Sequence, residues 1–326
     1  MKVLLTGGTG FLGSHIAQWL GEEGHEVRAM VRSTSDTRFL QTLPCVQLFE
    51  GAVEDRDGCR RAVEDVGAVI HCAGLVKARS PAEFRLTNVI GTQNILDAAR
   101  TAEGVDRFVL VSSLAARAPS LSGRPLAVDV EAAPVTTYGR TKLEAERAVL
   151  ACKDDLHVTV VRPTAIYGAR DREMLQLFQY AQMRILPFIG DPQGKLTMIY
   201  GEDCARATIR CLTVDLPSGR AFDLDDGRVY SRIELAEGLE SALGRRALVR
   251  FPIPNPIVRT VGFVSEAYGR ITNRPVMVTR EKVEELLHQW VGDSSSARNE
   301  LGFEPSVDWR EGARRTADWY FANGWL

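Results

Sequence analysis

The chain has 326 residues, 45% of them hydrophobic and 25% charged, with a formal net charge of −2. That balance suits a soluble globular protein with one large α/β unit and a smaller region packed on it. It argues against a nucleic-acid partner, and no Lys/Arg cluster marks a site for anionic lipid.

From the N-terminus, short apolar runs alternate with amphipathic stretches, the rhythm of a parallel sheet covered by helices. Strands are expected at Val3–Thr6, Glu26–Val31, Val46–Phe49, Ala68–His71, Phe108–Ser112 and Val158–Arg162. Helices are expected between them at Phe11–Glu23, Arg56–Glu64, Glu83–Thr101 and Tyr138–Leu150. After Arg162 the rhythm breaks. Glu173–Met183 reads as a helix, Phe222–Leu224 as a short strand and Ser231–Leu243 as a helix; Pro252, Pro254 and Pro256 then punctuate a linker-like stretch. Helical segments follow at Glu281–Trp290 and Arg310–Asn323.

The expected fold is therefore α/β, a doubly wound parallel sheet of the Rossmann type over residues 1–165. Residues 166–326 form mostly a smaller mixed α/β substrate region, with the chain returning to the first unit around 195–225. No apolar run reaches the length of a membrane span and no signal peptide is visible, so the cytoplasm is the expected location. Six cysteines occur without CxxC or zinc spacing, which reads as free, mostly buried thiols and no metal.

The opening Thr6-Gly7-Gly8-Thr9-Gly10-Phe11-Leu12-Gly13 stands between an apolar strand and an amphipathic helix. Glycine there permits a tight turn, close backbone approach to a pyrophosphate and close packing of helix on strand. The phosphates then meet the free N–H groups of a helix N-terminus. Two spacings fit, Gly8/Gly10/Gly13 as GxGxxG and Gly7/Gly10/Gly13 as GxxGxxG. At the end of the second strand, where an acid would accept from a ribose 2′-OH, the chain has Val31 followed by Arg32. A permanently charged guanidinium suits a phosphate monoester, so NADP is expected over NAD.

Tyr138 and Lys142 stand four apart at the start of a helix, which places phenol and ammonium on one face. A lysine charge beside the phenol would bring its pKa towards working range. Upstream, the apolar strand ending in Ser112-Ser113 offers a hydroxyl at the carboxyl edge of the sheet, where ligands bind in doubly wound folds. Either serine could fill that role.

In order along the chain, TGGTGFLG, His71-Cys72-Ala73-Gly74, Asn88-Val89-Ile90-Gly91-Thr92, Ser112-Ser113, YGRTK and Arg162-Pro163-Thr164-Ala165-Ile166-Tyr167-Gly168 resemble the extended short-chain dehydrogenase/reductase family. The resemblance implies Ser113 as catalytic serine, with Ser112 as fallback, Tyr138 as acid/base and Lys142 as its partner. It implies cofactor contacts from Gly7, Gly10, Phe11, Leu12, Gly13, Ala73, Gly74, Tyr138, Lys142 and Pro163, to which Arg32 is added from the reading above. Gly51-Ala52-Val53 departs from the Gly-Asp-Leu common in the family, removing one expected adenine contact.

Leu114–Ala118 and Ala165 lack polar handles that nucleotide-sugar members tend to carry at these places. The Val27–Arg32 strand looks more like the dihydroflavonol reductase and 3β-hydroxysteroid dehydrogenase branch. The expectation is a carbonyl/secondary-alcohol oxidoreductase acting on a small, rather apolar substrate, and the resemblance implies a homodimer through helices that include Glu83–Thr101 and Tyr138–Leu150. Partners other than the small molecule, nucleic acid and membrane included, are not expected. Alternatives are a nucleotide-sugar epimerase or dehydratase with tightly bound NAD and, behind it, a non-catalytic NADP-binding regulatory protein. Met174, Leu175, Phe178, Met183, Phe188 and Ile189 read either as an apolar substrate pocket or, more commonly for such residues, as core.

Overall fold

A computed structural model describes residues 1–127, 130–272, 276 and 279–326. The first part of the chain runs β1 (Lys2–Thr6), α1 (Phe11–Glu22), β2 (Glu26–Val31), β3 (Val46–Glu50), α2 (Arg56–Ala62), β4 (Ala68–His71), α3 (Pro81–Arg85), α4 (Gly91–Thr101), β5 (Arg107–Val111), α5 (Thr137–Leu150) and β6 (His157–Pro163). β1, β4, β5 and β6 are buried on both faces, which is why they read as nearly continuous apolar runs, whereas β3 at the sheet edge is largely exposed. Side chains alternate between the faces. Val3, Leu5, Ile70, Val109, Val111 and Val161 join the core under α1, while Leu4, Val69, Phe108, Leu110, Val158 and Val160 join the core under α4 and α5.

The second part runs β7 (Ala165–Tyr167), α6 (Leu175–Gln182), β8 (Ile185–Ile189), β9 (Lys195–Tyr200), α7 (Gly201–Thr213), β10 (Arg220–Leu224), β11 (Val229–Ser231), α8 (Arg232–Leu243), β12 (Val249–Ile253), α9 (Asn255–Thr272), α10 (Arg280–Leu287), α11 (Ser295–Leu301) and α12 (Trp309–Ala322). β10 pairs parallel with β6, so the main sheet has seven strands in the order β3-β2-β1-β4-β5-β6-β10. Order reverses between β1 and β4, which opens a crevice at their carboxyl ends. A three-stranded sheet, β11-β9-β7, and a two-stranded ribbon, β12-β8, complete the fold.

Two expectations change. The helix expected over Glu83–Thr101 is interrupted by a single π turn, Leu86–Ile90. The proline-punctuated stretch is no linker: Pro252 lies inside β12, opposite Phe188, and Pro256 stands in the first turn of α9, where a missing N–H costs nothing. Phe178 and Phe188 are core residues beside Tyr167, Trp309 and Tyr320, so packing accounts for them, whereas Met183 is exposed. Of the cysteines, Cys59, Cys204 and Cys211 are buried and the others partly so; all six are free.

Candidate active site

The site lies at the carboxyl ends of β1, β4, β5 and β6. After β1, Gly7 adopts φ +74°, and an added Cβ would lie 2.6 Å from the Ala73 nitrogen. At Gly13 a Cβ would lie 2.1 Å from the Gly7 carbonyl oxygen, so α1 can begin this close to the turn only without a side chain. Gly10 closes the turn by donating its N–H to the Gly7 oxygen at 3.0 Å. A Cβ at Gly8 would meet nothing nearer than 3.4 Å. Gly7 and Gly13 exclude a side chain while Gly8 does not, so the strict geometry follows the Gly7/Gly10/Gly13 spacing. α1 has no side-chain cap and no acid in its first turn, so the donors of its N-terminus suit a phosphate. Phe11 packs edge-on against His15, and Leu12 is buried.

Thr6, at the end of β1, binds His71 Nδ1 at 2.7 Å, and its Oγ1 accepts the Ala73 N–H at 3.2 Å. The other ring nitrogen of His71 meets Thr92 at 2.9 Å. Burial, helped by Lys142, holds this imidazole neutral, with its pKa lowered to about 3. These contacts fix the Cys72-Ala73-Gly74 turn beside the glycine loop. Arg32 is exposed just past β2, and its backbone N–H is held by Ser35 Oγ at 3.2 Å. Pro163 ends β6, opposite Leu224 of β10.

Ser112 and Ser113 follow β5 but face different surroundings. Ser112 is buried and gives its hydroxyl to Glu146 on α5, a carboxylate that also takes Arg162 through both Nε and Nη2. The Ser113 hydroxyl accepts the Ala115 N–H at 3.2 Å, and its hydrogen-bonding influence on the Tyr138 phenol works against that phenol's raised pKa. The structure thus sets the tyrosine beside Ser113 and ties Ser112 into a buried charge network behind it.

α5 comes close enough for this placement because of Gly139, where a Cβ would lie 2.2 Å from the Ala115 oxygen. Thr136 caps the helix by accepting the Gly139 N–H at 3.0 Å. One turn on, Lys142 is buried and donates to the Val111 oxygen at 2.8 Å. Burial lowers the pKa of this ammonium, opposed by Cys72 and Glu146. Burial likewise raises the Tyr138 phenol above its ordinary value, opposed by the Ser113 hydrogen bond. The lowering expected from Lys142 is not what the phenol shows: the lysine is anchored to the end of β5.

Sequence reasoning missed three supports of the site. Asn88, carried by the π turn, accepts the Leu75 N–H at 2.7 Å and donates to Leu75 O and Thr141 Oγ1, both at 3.1 Å. It was legible as part of a motif but not as a brace, since π turns leave no periodic signal. Glu281, on α10, accepts the Thr137 N–H at 2.6 Å and pairs with Arg140 at 2.7 Å, locking the C-terminal region onto the first turn of α5. Gly139 had no partner visible in the sequence. Among the described residues no group of three or more His, Cys, Asp or Glu could hold a metal ion.

The sequence model of the NAD dependent epimerase/dehydratase family matches residues 3–224. The chain is 35% identical to the ceramide reductase of Caulobacter vibrioides, over 99% of this chain and 96% of that protein. It is 30% identical to the 2-alkyl-3-oxoalkanoate reductase of Stenotrophomonas maltophilia, over 97% and 98%, and 29% identical to a 3 beta-hydroxysteroid dehydrogenase/Delta 5→4-isomerase of Mycobacterium tuberculosis, over 93% and 86%. In fold it resembles the UDP-glucose 4-epimerase of Thermotoga maritima, with a TM-score of 0.81, 22% identity and 99% of both chains covered. The chain belongs to the NAD-dependent epimerase/dehydratase family and is an NAD(P)-dependent oxidoreductase of the extended short-chain dehydrogenase/reductase type.

Proposed function

We propose that this enzyme interconverts a carbonyl and a secondary alcohol on a small, rather apolar molecule, using NADP(H). The observation that carries the reading is the placement of Tyr138 and the buried Lys142 one turn apart on α5, which the Lys142–Val111 contact at 2.8 Å holds against the carboxyl end of β5, with Ser113 following that strand. Gly7, Gly10, Phe11, Leu12, Gly13, Ala73, Gly74 and Pro163 would hold the dinucleotide, and Arg32 would meet its 2′-phosphate. When bound, the dinucleotide supplies or accepts the hydride.

The chain's own residues handle the oxygen and its proton. Ser113 and Tyr138 donate hydrogen bonds to the substrate oxygen and stabilise the charge that gathers there. A phenol raised by burial stays protonated at neutral pH, which supports reduction with Tyr138 as the proton donor. Lys142, held by the Val111 oxygen one turn along α5, would meet the bound dinucleotide. In this division of labour residues 1–165 and the returning β10 carry the cofactor, and most of 166–326 shapes the substrate pocket.

The apolar substrate class rests on two supports. Leu114, Ala115 and Ala116, which follow the serines, are buried and apolar, and Arg117 is committed to Asp223 and the Ala127 oxygen. The relatives named for ceramide, a 2-alkyl-3-oxoalkanoate and a 3β-hydroxysteroid are reductases or dehydrogenases of compounds that are largely hydrocarbon.

Tyr138→Phe tests the reading. Turnover of an apolar ketone should fall by about 10²- to 10⁴-fold while NADPH affinity stays within about twofold. Wild-type turnover in the variant would refute the proton-donor role. Interconversion of nucleotide-sugars without net NADPH consumption would transfer the enzyme to the epimerase reading.

A further inference from the structure

Helix α9 carries an apolar stripe that the described chain leaves uncovered. Its inner face is accounted for. Val258 is buried, and Gly262 lies so close to α10 that a Cβ would meet Val283 at 2.8 Å. Its outer face repeats apolar residues four and three apart, which aligns Ile257, Val261, Val264, Tyr268 and Ile271 along one side. All five are more than half exposed, Ile271 at 85%. Single exposed apolar residues are ordinary, but a stripe along an 18-residue helix marks an interaction surface. β12 leads into this helix and adds exposed Val249 and Phe251.

Charge selects the occupant. Residues 244–274 carry six arginines (245, 246, 250, 259, 270 and 274) and one acid, Glu266, a local excess of five positive charges in a chain of net −2. Arg250 is paired with Glu240, and Arg259 with Glu284. Arg245 and Arg246, just before β12, and Arg184, just before β8, form no salt bridge among the described residues; Arg184 reaches the Arg246 carbonyl at 3.0 Å. Guanidinium groups in the segment that leads through β12 into an apolar stripe match anionic headgroups over hydrocarbon. A second copy would set the same positive charge against itself. The expectation that no Lys/Arg cluster marks a site for anionic lipid does not hold for this segment, whose excess the whole-chain balance hides because acids elsewhere cancel it.

We propose that α9, with the adjoining β12, docks on the surface of an anionic lipid bilayer, the stripe lying among the outer acyl chains and Arg184, Arg245 and Arg246 among the headgroups. No helix among the described residues is long and apolar enough to cross a membrane, so the contact is peripheral. α10 connects this surface to the catalytic helix, since it packs on α9 through Gly262 and holds Thr137 and Arg140 through Glu281.

The test is flotation of the full chain with vesicles of phosphatidylcholine alone or with added phosphatidylglycerol, in about 0.1 M salt. Expected is binding to the anionic vesicles only, reduced about tenfold or more by Val264→Ser with Ile271→Ser, and likewise by Arg245→Glu with Arg246→Glu. These positions are exposed, and thermal melts would verify that both variants remain folded. Absent binding to anionic vesicles, equal binding to both compositions, or undiminished binding by the Ser variant overturns the proposal. A dimer by light scattering that the Ser variant dissolves also overturns it, and assigns the stripe to a second copy.

Discussion

Arg32 has one chemical asset, a charge that cannot be titrated away, and it follows β2, where the proposed function puts the ribose end of the dinucleotide. A charge-assisted hydrogen bond to a 2′-phosphate is worth about 1.5–3 kcal/mol, or roughly 10- to 100-fold in affinity. Arg32→Ala should therefore weaken NADPH by that factor and leave NADH unchanged, as read by titrating cofactor-stripped protein with each. An equal response to both cofactors would make Arg32 a solvated surface residue and remove the support for NADP. At this scale the sequence showed which residues could act but not which of two equivalent neighbours would. Ser112 and Ser113 both end the same strand, and only Glu146, arriving 34 residues later on α5, separates their roles. The phenol's raised pKa was hidden for the same reason, because burial belongs to the fold and not to the YxxxK spacing.

At the scale of elements, the glycine loop yields a paired expectation. Gly13→Ala drives a Cβ into the Gly7 carbonyl, a rigid backbone neighbour that cannot yield without moving α1 off β1. Gly8→Ala adds a methyl at ordinary contact distance from Leu5, Leu40 and Ala29. The first substitution should cost about 3 kcal/mol or more, or abolish dinucleotide binding, and the second should cost under about 1 kcal/mol. Thermal melts with and without NADPH would read both; equal damage would reinstate the GxGxxG spacing. The central strands β1, β4, β5 and β6 were readable because both their faces are buried, which writes each as a short apolar run. β7 and β11 have three residues each and pair with β9, too short to carry a period. The prolines around β12 misled because edge and helix-start positions tolerate what an interior position would not.

For the whole molecule, the question is whether the region after Arg162 unfolds on its own. The packing says it does not. Ala297, Leu301 and Phe303 belong to the same core as Ile16, Leu20 and Ile209. Asp203 of α7 accepts the N–H groups of Ser306 and Val307, both at 2.9 Å, and α7 lies against α1 of the cofactor-binding half. Tyr320 on α12 donates to the Asp171 oxygen, and Trp309 packs edge-on against Tyr167 at 4.8 Å. Late residues thus complete cores begun by early ones, and β10 closes the main sheet from the middle of the second part. Calorimetry should accordingly show one transition, with calorimetric and van't Hoff enthalpies agreeing. NADPH at about 100 times its Kd should raise that single transition, through roughly 2.7 kcal/mol of linkage, carrying both halves together. A second transition that ignores the cofactor would show that the substrate region is an independent unit, with Glu281 and Asp203 no more than surface contacts between two folded bodies.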